Sequence, residues 1–390
     1  MSPFASARRM FLARAAGLVT LLAVAACEPL PTSRAPALDP SAPVPVALIL
    51  PGGSGNSSDE VLALNLKRAA EMAIADLQGV KIDLRVYNAG SDPSTSAAMA
   101  RRAVDEGAKV ILGPVFAEAA NAAGVAVAGT GVNVLSFSNN TEIAGGNVFV
   151  LGPTFQNTAN RLAGYAARTG YNRIMIVHDQ TPAGDLGQRA IRAAAARAGA
   201  AISGTASYEF SQQGIIDAAP RIAAQVRAAG ANAVFLTADT AGALPILARL
   251  LPDAGLDPAT VKYLGLTRWD IPSATLSLPG LQGGWFALPD PGLASQFEQR
   301  FMSTYGEPPH PIAGLAYDGI AAIGALARRG TPDALSRASL TQSAGFAGVN
   351  GVFRLLPDGT NERALAIAEI RNAQVVVIDP APRNFGGAGS

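Results

Sequence analysis

From Val46 onward the chain alternates short apolar runs with stretches of helical spacing, and this alternation constrains the fold more than any other feature. Val46-Ala47-Leu48-Ile49-Leu50 is a continuous apolar run stopped by Pro51-Gly52-Gly53, the pattern of a strand covered on both faces. Residues 61–77 follow with apolar side chains at helical spacing, Leu62, Leu66, Ala69 and Ala73 among them. Residues 82–87 read as the next strand. Asp92-Pro93 opens a helix with a capping carboxylate and a proline at its first position, ending near residue 106. Val110-Ile111-Leu112, a helix from about Ala117 and a strand over 132–137 complete a β-α-β series. Such a series builds a parallel sheet with helices on both faces.

A second series starts near Pro153. Helices over 157–168, 186–198, 215–228 and 241–251 alternate with strands over 173–177, 205–210, 233–236 and 262–266. Two α/β halves joined near residues 151–154 are the simplest architecture, because 390 residues exceed what one core holds. Residues 351–356, 363–371 and 374–379 predict antiparallel strands, with Pro357-Asp358-Gly359 and Asn372-Ala373 supplying the turns. Residues 380–390, rich in glycine, predict a disordered tail.

Charge narrows the function. Lys and Arg total 30 against 29 Asp and Glu, so no surplus of positive charge is available for phosphates and no nucleic-acid partner is expected. One cysteine, Cys27, and two histidines, His178 and His310, lie in unrelated segments and leave no zinc-binding set. Gly52-Gly53-Ser54-Gly55 lacks the Gly-x-Ser-x-Gly flanks of a nucleophile elbow. Gly129-Thr130-Gly131 has Val134 where a dinucleotide fingerprint needs glycine or alanine, and it precedes a strand. His178-Asp179 reads either as an acid/base pair or, the expectation here, as a hydrogen-bonded histidine at a cleft edge. No enzyme, cofactor or metal is predicted.

In open parallel sheets, ligands bind beyond the carboxyl ends of the strands. Ser136, Ser138, Asn139 and Asn140 cluster at one such end, offering hydroxyls, amides and backbone N–H groups, or else capping the next element. Gly113-Pro114 stands before a helix start, where backbone donors and the dipole favour a carboxylate. Ser54, Asp179, Thr181, Asp239, Thr267, Arg268 and Trp269 occupy the other strand ends and are candidate ligand contacts. Of the two tryptophans, Trp285 sits in an apolar run and predicts core. Trp269, between Arg268 and Asp270, predicts core or a cleft or partner contact.

The N-terminus reads as an address. Arg8, Arg9 and Arg14 flank an apolar run over 15–26 that is about half a bilayer span, so residues 1–26 predict a signal peptide. Arg8-Arg9-Met10-Phe11-Leu12 fits either a twin-arginine export motif or an ordinary secretory leader. Val24-Ala25-Ala26-Cys27 resembles the bacterial lipobox, with Val24 in place of the usual leucine. The resemblance implies a lipid on Cys27 and a membrane anchor through that lipid alone. Glu28 is not the aspartate that retains enteric lipoproteins in the inner membrane, which points toward the outer one. Residues 27–43 then form a proline-rich linker; a polyproline II spacer of this size reaches roughly 50 Å.

The stretches 46–55, 107–114 and 133–140, with 297–306 and Ala316-Tyr317-Asp318 further on, resemble the type I periplasmic solute-binding fold, that of the Leu/Ile/Val-binding proteins. The resemblance spans most of the chain after the linker. It implies two lobes, 44–152 plus 290–335 and 153–289 plus 336–379, with a ligand cleft between them, and it adds Asp318 to the candidate contacts. Within the fold, the Leu-Gly-Pro and Leu-Ser-Phe-Ser-Asn-Asn stretches are similar to lipoproteins that activate penicillin-binding proteins. Compared with amino-acid receptors, anion recognition carries over to Ser138 and Asn140. The two aromatic clamps fall at Ala183, beside Gly184, and near Asp239, and the ammonium-holding carboxylate falls near Thr267. This implies that free leucine lacks a partner for its ammonium group, and favours a peptide-like, anionic or cell-wall-derived ligand such as a muropeptide, or no ligand. The leading expectation is a periplasmic, non-enzymatic regulator of peptidoglycan synthesis with a synthase as partner. The alternative is the receptor of an ABC transporter for branched-chain amino acids or a related amino-acid-like solute, with a permease as partner.

Overall fold

The computed structural model describes residues 35–385; the expected signal peptide, the expected lipidation at Cys27 and the last five residues of the expected tail lie outside them. The first strand, β1 (Val44–Leu50), is buried on both faces. Val46, Leu48 and Leu50 join one apolar cluster while Ala47 and Ile49 join another, which is why its run of apolar residues is unbroken. There follow α1 (Ser57–Asp76), β2 (Ile82–Asn88), α2 (Pro93–Asp105), β3 (Val110–Leu112), α3 (Ala117–Val127), β4 (Asn133–Ser136) and β5 (Val148–Val150). The five strands form a wholly parallel sheet in the order β2-β1-β3-β4-β5. Helix α1 starts four residues before the apolar stripe because Asn56 accepts from Ser58 N at 2.9 Å and caps it. Asp92 caps α2 as its sequence predicts, accepting from Thr95 N at 2.7 Å.

The second lobe comprises α4 (Phe155–Arg168), β6 (Arg173–Asp179), α5 (Pro182–Ala198), β7 (Ala201–Tyr208), α6 (Gln212–Ala228), β8 (Ala233–Leu236), α7 (Leu244–Asp253), β9 (Lys262–Gly265) and β10 (Trp285–Leu288). Strand β6 repeats the logic of β1, with Met175 and Val177 in one cluster and Ile174 and Ile176 in the other. Trp285 is core: it stacks edge-on against Tyr165 and Tyr171, and its indole N–H donates to Glu369 at 3.0 Å.

The remainder is α8 (Pro291–Tyr305), α9 (Gly314–Ala327), α10 (Arg337–Leu340), β11 (Phe346–Gly348), β12 (Gly351–Leu355), β13 (Asn361–Arg363), β14 (Ala366–Arg371) and β15 (Gln374–Asp379). Phe297 and Phe301 of α8 and Ile320 and Ile323 of α9 pack into the cluster beneath β1. Residues 336–363 differ from the expected second-lobe placement. Leu340, Phe346, Phe353 and Leu355 join the first lobe's cluster, and β11, β12 and β13 form a small antiparallel sheet of their own. Only β14 and β15 enter the second sheet, whose order is β15-β14-β10-β9-β8-β6-β7, antiparallel at the β14 and β15 end. The single strand expected over 363–371 is therefore two, because its halves serve different sheets. Asn372 and Ala373 make the tight turn expected of them, with φ of 52° and 59°. No helix of the described residues is long and apolar enough to cross a membrane.

Candidate functional site

In each lobe one strand is flanked by both the next strand and the one after it: β1 lies between β2 and β3, and β6 between β7 and β8. The helices that follow leave in opposite directions at these two points, opening a crevice at the carboxyl ends of β1/β3 and of β6/β8. Most of the candidate residues belong to the loops around these crevices.

In the first lobe the loop after β3 is anchored to β4. Gly113 N donates to Leu135 O at 2.8 Å and Phe137 N to Pro114 O at 3.0 Å. Gly113 has φ +92°, and a Cβ there would stand 2.2 Å from Ile49 O, so the close approach admits only glycine. Ser136 is not the ligand contact expected of it. It is fully buried, donates to Pro114 O at 2.9 Å and accepts from Ser138 N at 3.0 Å, which makes it part of the frame. Ser138 accepts from Asn140 N at 3.1 Å, and its own proton goes to no acceptor among the described residues. Asn140 uses its carbonyl oxygen to accept from Glu142 N at 2.9 Å, leaving its amide donors, and Asn139 is exposed. Alongside, α3 begins at Phe116, which supplies no side-chain acceptor for the helix's first N–H groups. The result is a donor-rich surface with the positive end of a helix dipole beside it.

Ser54, in the loop after β1, is already engaged. Its hydroxyl donates to Asp59 at 3.1 Å, and Gly53 N donates to Glu60 at 2.6 Å, so the loop after β1 already answers to the acids of α1.

The second lobe presents acceptors. Asp179, at the end of β6, is buried and accepts from Thr181 N at 3.1 Å and from the Thr181 hydroxyl, while Thr237 lies at 3.5 Å. The same Thr181 oxygen accepts from Gly184 N at 3.1 Å and so caps α5. Asp239, after β8, is exposed and accepts from Gly242 N at 2.6 Å. Thr267 donates to Ala238 O at 3.3 Å and braces that loop. Arg268 forms a two-point pair with Asp270.

Two candidates fall outside the cleft. Trp269 is wholly buried: its ring lies against the backbone of Gly265 and Gly284, where a Cβ would stand 2.3 and 2.7 Å away. Of the two readings the sequence left open for it, the structure has the core one. Asp318 is buried in an ion pair with Arg363, at 2.9 Å, between the two lobes' crossing segments. His178 donates from Nδ1 to Asp179 O at 2.8 Å, with Asp185 at 3.7 Å, as a satisfied histidine at a strand end.

The strand expected over 205–210 stops two residues earlier, leaving Phe210 in the loop. Strand β7 ends at Tyr208 because its partner β6 ends at Asp179, directly opposite. No group of three or more His, Cys, Asp or Glu among the described residues is placed to hold a metal ion.

Comparison with known proteins agrees with this geometry. The profile of a family described as periplasmic binding protein matches residues 43–374. The structure is similar to that of a branched-chain amino acid ABC transporter protein of Rhodospirillum rubrum, at 19% identity and TM-score 0.73, covering 86% of this chain and 100% of that one. It is similar also to an ABC transporter substrate-binding protein of Desulfitobacterium hafniense in complex with Leu, at 18% identity and TM-score 0.62, over 86% and 100% of the two chains. A third likeness is to a solute-binding protein of an ABC transporter of Rhodopseudomonas palustris in complex with 3,4-dihydroxybenzoic acid, at 16% identity and TM-score 0.56, over 89% and 99%. No curated relative matches the chain.

Proposed function

The chain belongs to the periplasmic binding protein family, and from that premise we propose that it is the solute receptor of an ABC importer, capturing a small organic carboxylate in the periplasm. The observation that carries the reading is the donor surface at the ends of β3 and β4. There Ser138, the Asn140 amide and the first turn of α3, which has no side-chain cap, offer donors at adjacent strand ends. Such a surface suits an anionic group, and the opposite lobe closes over the rest of the solute by hinge motion. The absence of an acid at Thr267, which argued against free amino acids, loses its force because Asp179 and Asp239 stand at the neighbouring strand ends.

Thermal-shift screening of the mature protein against amino acids, aromatic acids, short peptides and muropeptides tests the reading. Saturation at 100 times Kd adds about 2.7 kcal/mol and raises the melting temperature. Silence across every amino acid and carboxylate overturns it.

The second reading is a lipoprotein anchored through Cys27, oriented to the outer membrane and acting on a peptidoglycan synthase. It is favoured by Ala183, a small exposed residue where amino-acid receptors carry an aromatic clamp. Loss of labelling by radioactive fatty acid in Cys27→Ala tests the anchor, and retention of a purified synthase on the immobilised protein tests the partner.

A further inference from the structure

We infer that residues 380–385 form a fourth link between the lobes, a detachable strap that starts in the core of the second lobe and docks Phe385 on Arg354 of the first. The inference concerns how the lobes move around a solute, so its use rests on the receptor reading.

The backbone crosses between the lobes three times: between β5 and α4, between β10 and α8, and between β13 and β14. After β15 the chain sets out once more, and its departure is fixed. Arg161 of α4 donates to Pro380 O at 3.0 Å and to Asp379 O at 3.3 Å. Ala381 then packs, 9% exposed, into the second lobe's apolar cluster, which also holds Ala366 and Ile370.

The far end lies on the other lobe. Arg354 belongs to β12, and its neighbours Phe353 and Leu355 are buried in the first lobe's cluster. Alternation along the strand turns Arg354 the other way. Its guanidinium is held by Glu362, opposite on β13, at 2.6 and 2.8 Å, and donates to Ser343 O at 3.3 Å. The half-buried Phe385 ring has its centre 4.7 Å from Arg354 Cζ. That is a cation–π contact, made to a cation already fixed in place.

Between the two ends the chain takes four Cα steps, from Ala381 to Phe385, a reach of at most about 14 Å. Pro380 and Pro382 restrict the backbone further. A rotation of the lobes that lengthens this span must therefore pull Phe385 off Arg354. The three backbone crossings bend but cannot let go, whereas the strap can. Up to residue 385, the tail expected to be disordered acts as a brake on the hinge. One exposed cation–π contact shifts a two-state population about two- to fivefold, enough to bias the hinge without locking it.

Spin labels on the full chain test this, at Asn121→Cys on α3 and Ala224→Cys on α6 in a Cys27→Ala background, measuring the lobe separation of the free protein. With the natural tail the distance distribution should be narrow. In Phe385→Ala, and in a chain ending at Ala381, a second and displaced component should grow about two- to fivefold. Phe385→Trp should keep the narrow distribution, because indole holds a cation better than phenyl. Phe385 lies outside both lobes' apolar clusters, so the melting temperature should stay nearly unchanged in all of them. An unchanged distribution in either Phe385→Ala or the shortened chain overturns the strap and leaves the receptor reading standing. A solute screen that stays silent overturns the receptor reading alone, because the distances are measured without solute.

Discussion

Arg363 Nη1 donates to Asp318 Oδ2 at 2.9 Å across 45 residues of sequence, and both side chains are shut away from solvent. The guanidinium also donates from Nε and Nη2 to Leu151 O at 2.9 and 2.6 Å, while Val349 N donates to the other carboxylate oxygen at 2.8 Å. Asn361 adds donations to Val150 O and Gly152 O, both at 2.8 Å. One ion pair therefore binds helix α9 of the first lobe to two of the segments that pass between the lobes. Burial pushes the Asp318 carboxyl up, and Arg363 and the Val349 N–H oppose that rise.

Removing one partner of this pair leaves a buried charge alone. Arg363→Met should cost about 3–5 kcal/mol in urea unfolding, and the double variant Asp318→Leu/Arg363→Met should recover a large part of the loss. A double variant as unstable as the single one would show that the hydrogen bonds to Leu151 O, rather than the charges, hold the hinge.

Ser136 and Ser138 should separate structure from binding. Ser136→Ala removes a buried hydroxyl with two partners and should cost about 1–3 kcal/mol of stability. Ser138→Ala should leave the melting temperature of the free protein nearly unchanged while weakening solute binding. Equal losses of stability in the two variants would contradict this assignment.

Both tryptophans are buried, Trp269 completely and Trp285 to 5% exposure, so the emission of the native protein should be blue-shifted and resistant to iodide. Trp269→Ala should cost about 3–5 kcal/mol, as the loss of a large core ring does. Strong quenching by iodide would place Trp269 back at the cleft surface.

Tyr87 donates to Glu106 Oε2 at 2.6 Å, joining β2 to the end of α2. Burial, and then this hydrogen bond, push the phenol from its ordinary value of 10.0 up to about 12. A folded-state value above the unfolded one favours folding fully below pH 10.0 and loses that contribution as pH rises toward about 12. Alkaline titration followed by phenolate absorbance should show a late component that Tyr87→Phe removes, and the variant's stability should vary less across that window. An early titration at the ordinary value would break the link to Glu106.

Much of the scaffold was legible because its signals are local. An apolar run such as 46–50 reports a strand covered on both faces, Asp92-Pro93 reports a helix start, and Asn372-Ala373 a tight turn. The strand ends around Ser138, Asp179 and Asp239 followed from the general rule for parallel sheets, without any distance being known. The rest shares a cause as well. For Trp269, between Arg268 and Asp270, core and cleft were both open, and Gly265 and Gly284 decide for core by leaving the space its ring fills. Residues 363–371 look like one strand, yet Arg363 pairs with Phe353 while 366–371 pair with β10 and β15.

The sequence by itself determined which segments are strands and helices and that they alternate into parallel sheets, because propensity, capping and apolar period act over a few residues. Tertiary structure alone decided which polar side chains remain available. Ser136 was drawn into the frame, Asp318 into a buried pair with Arg363 and Arg268 into a pair with Asp270, while Asp179 and Tyr208 came to lie opposite each other at the ends of β6 and β7. Hydrogen bonds and ion pairs are chosen by proximity in space, and proximity between residues so far apart in the chain exists only after the sheets have set their register.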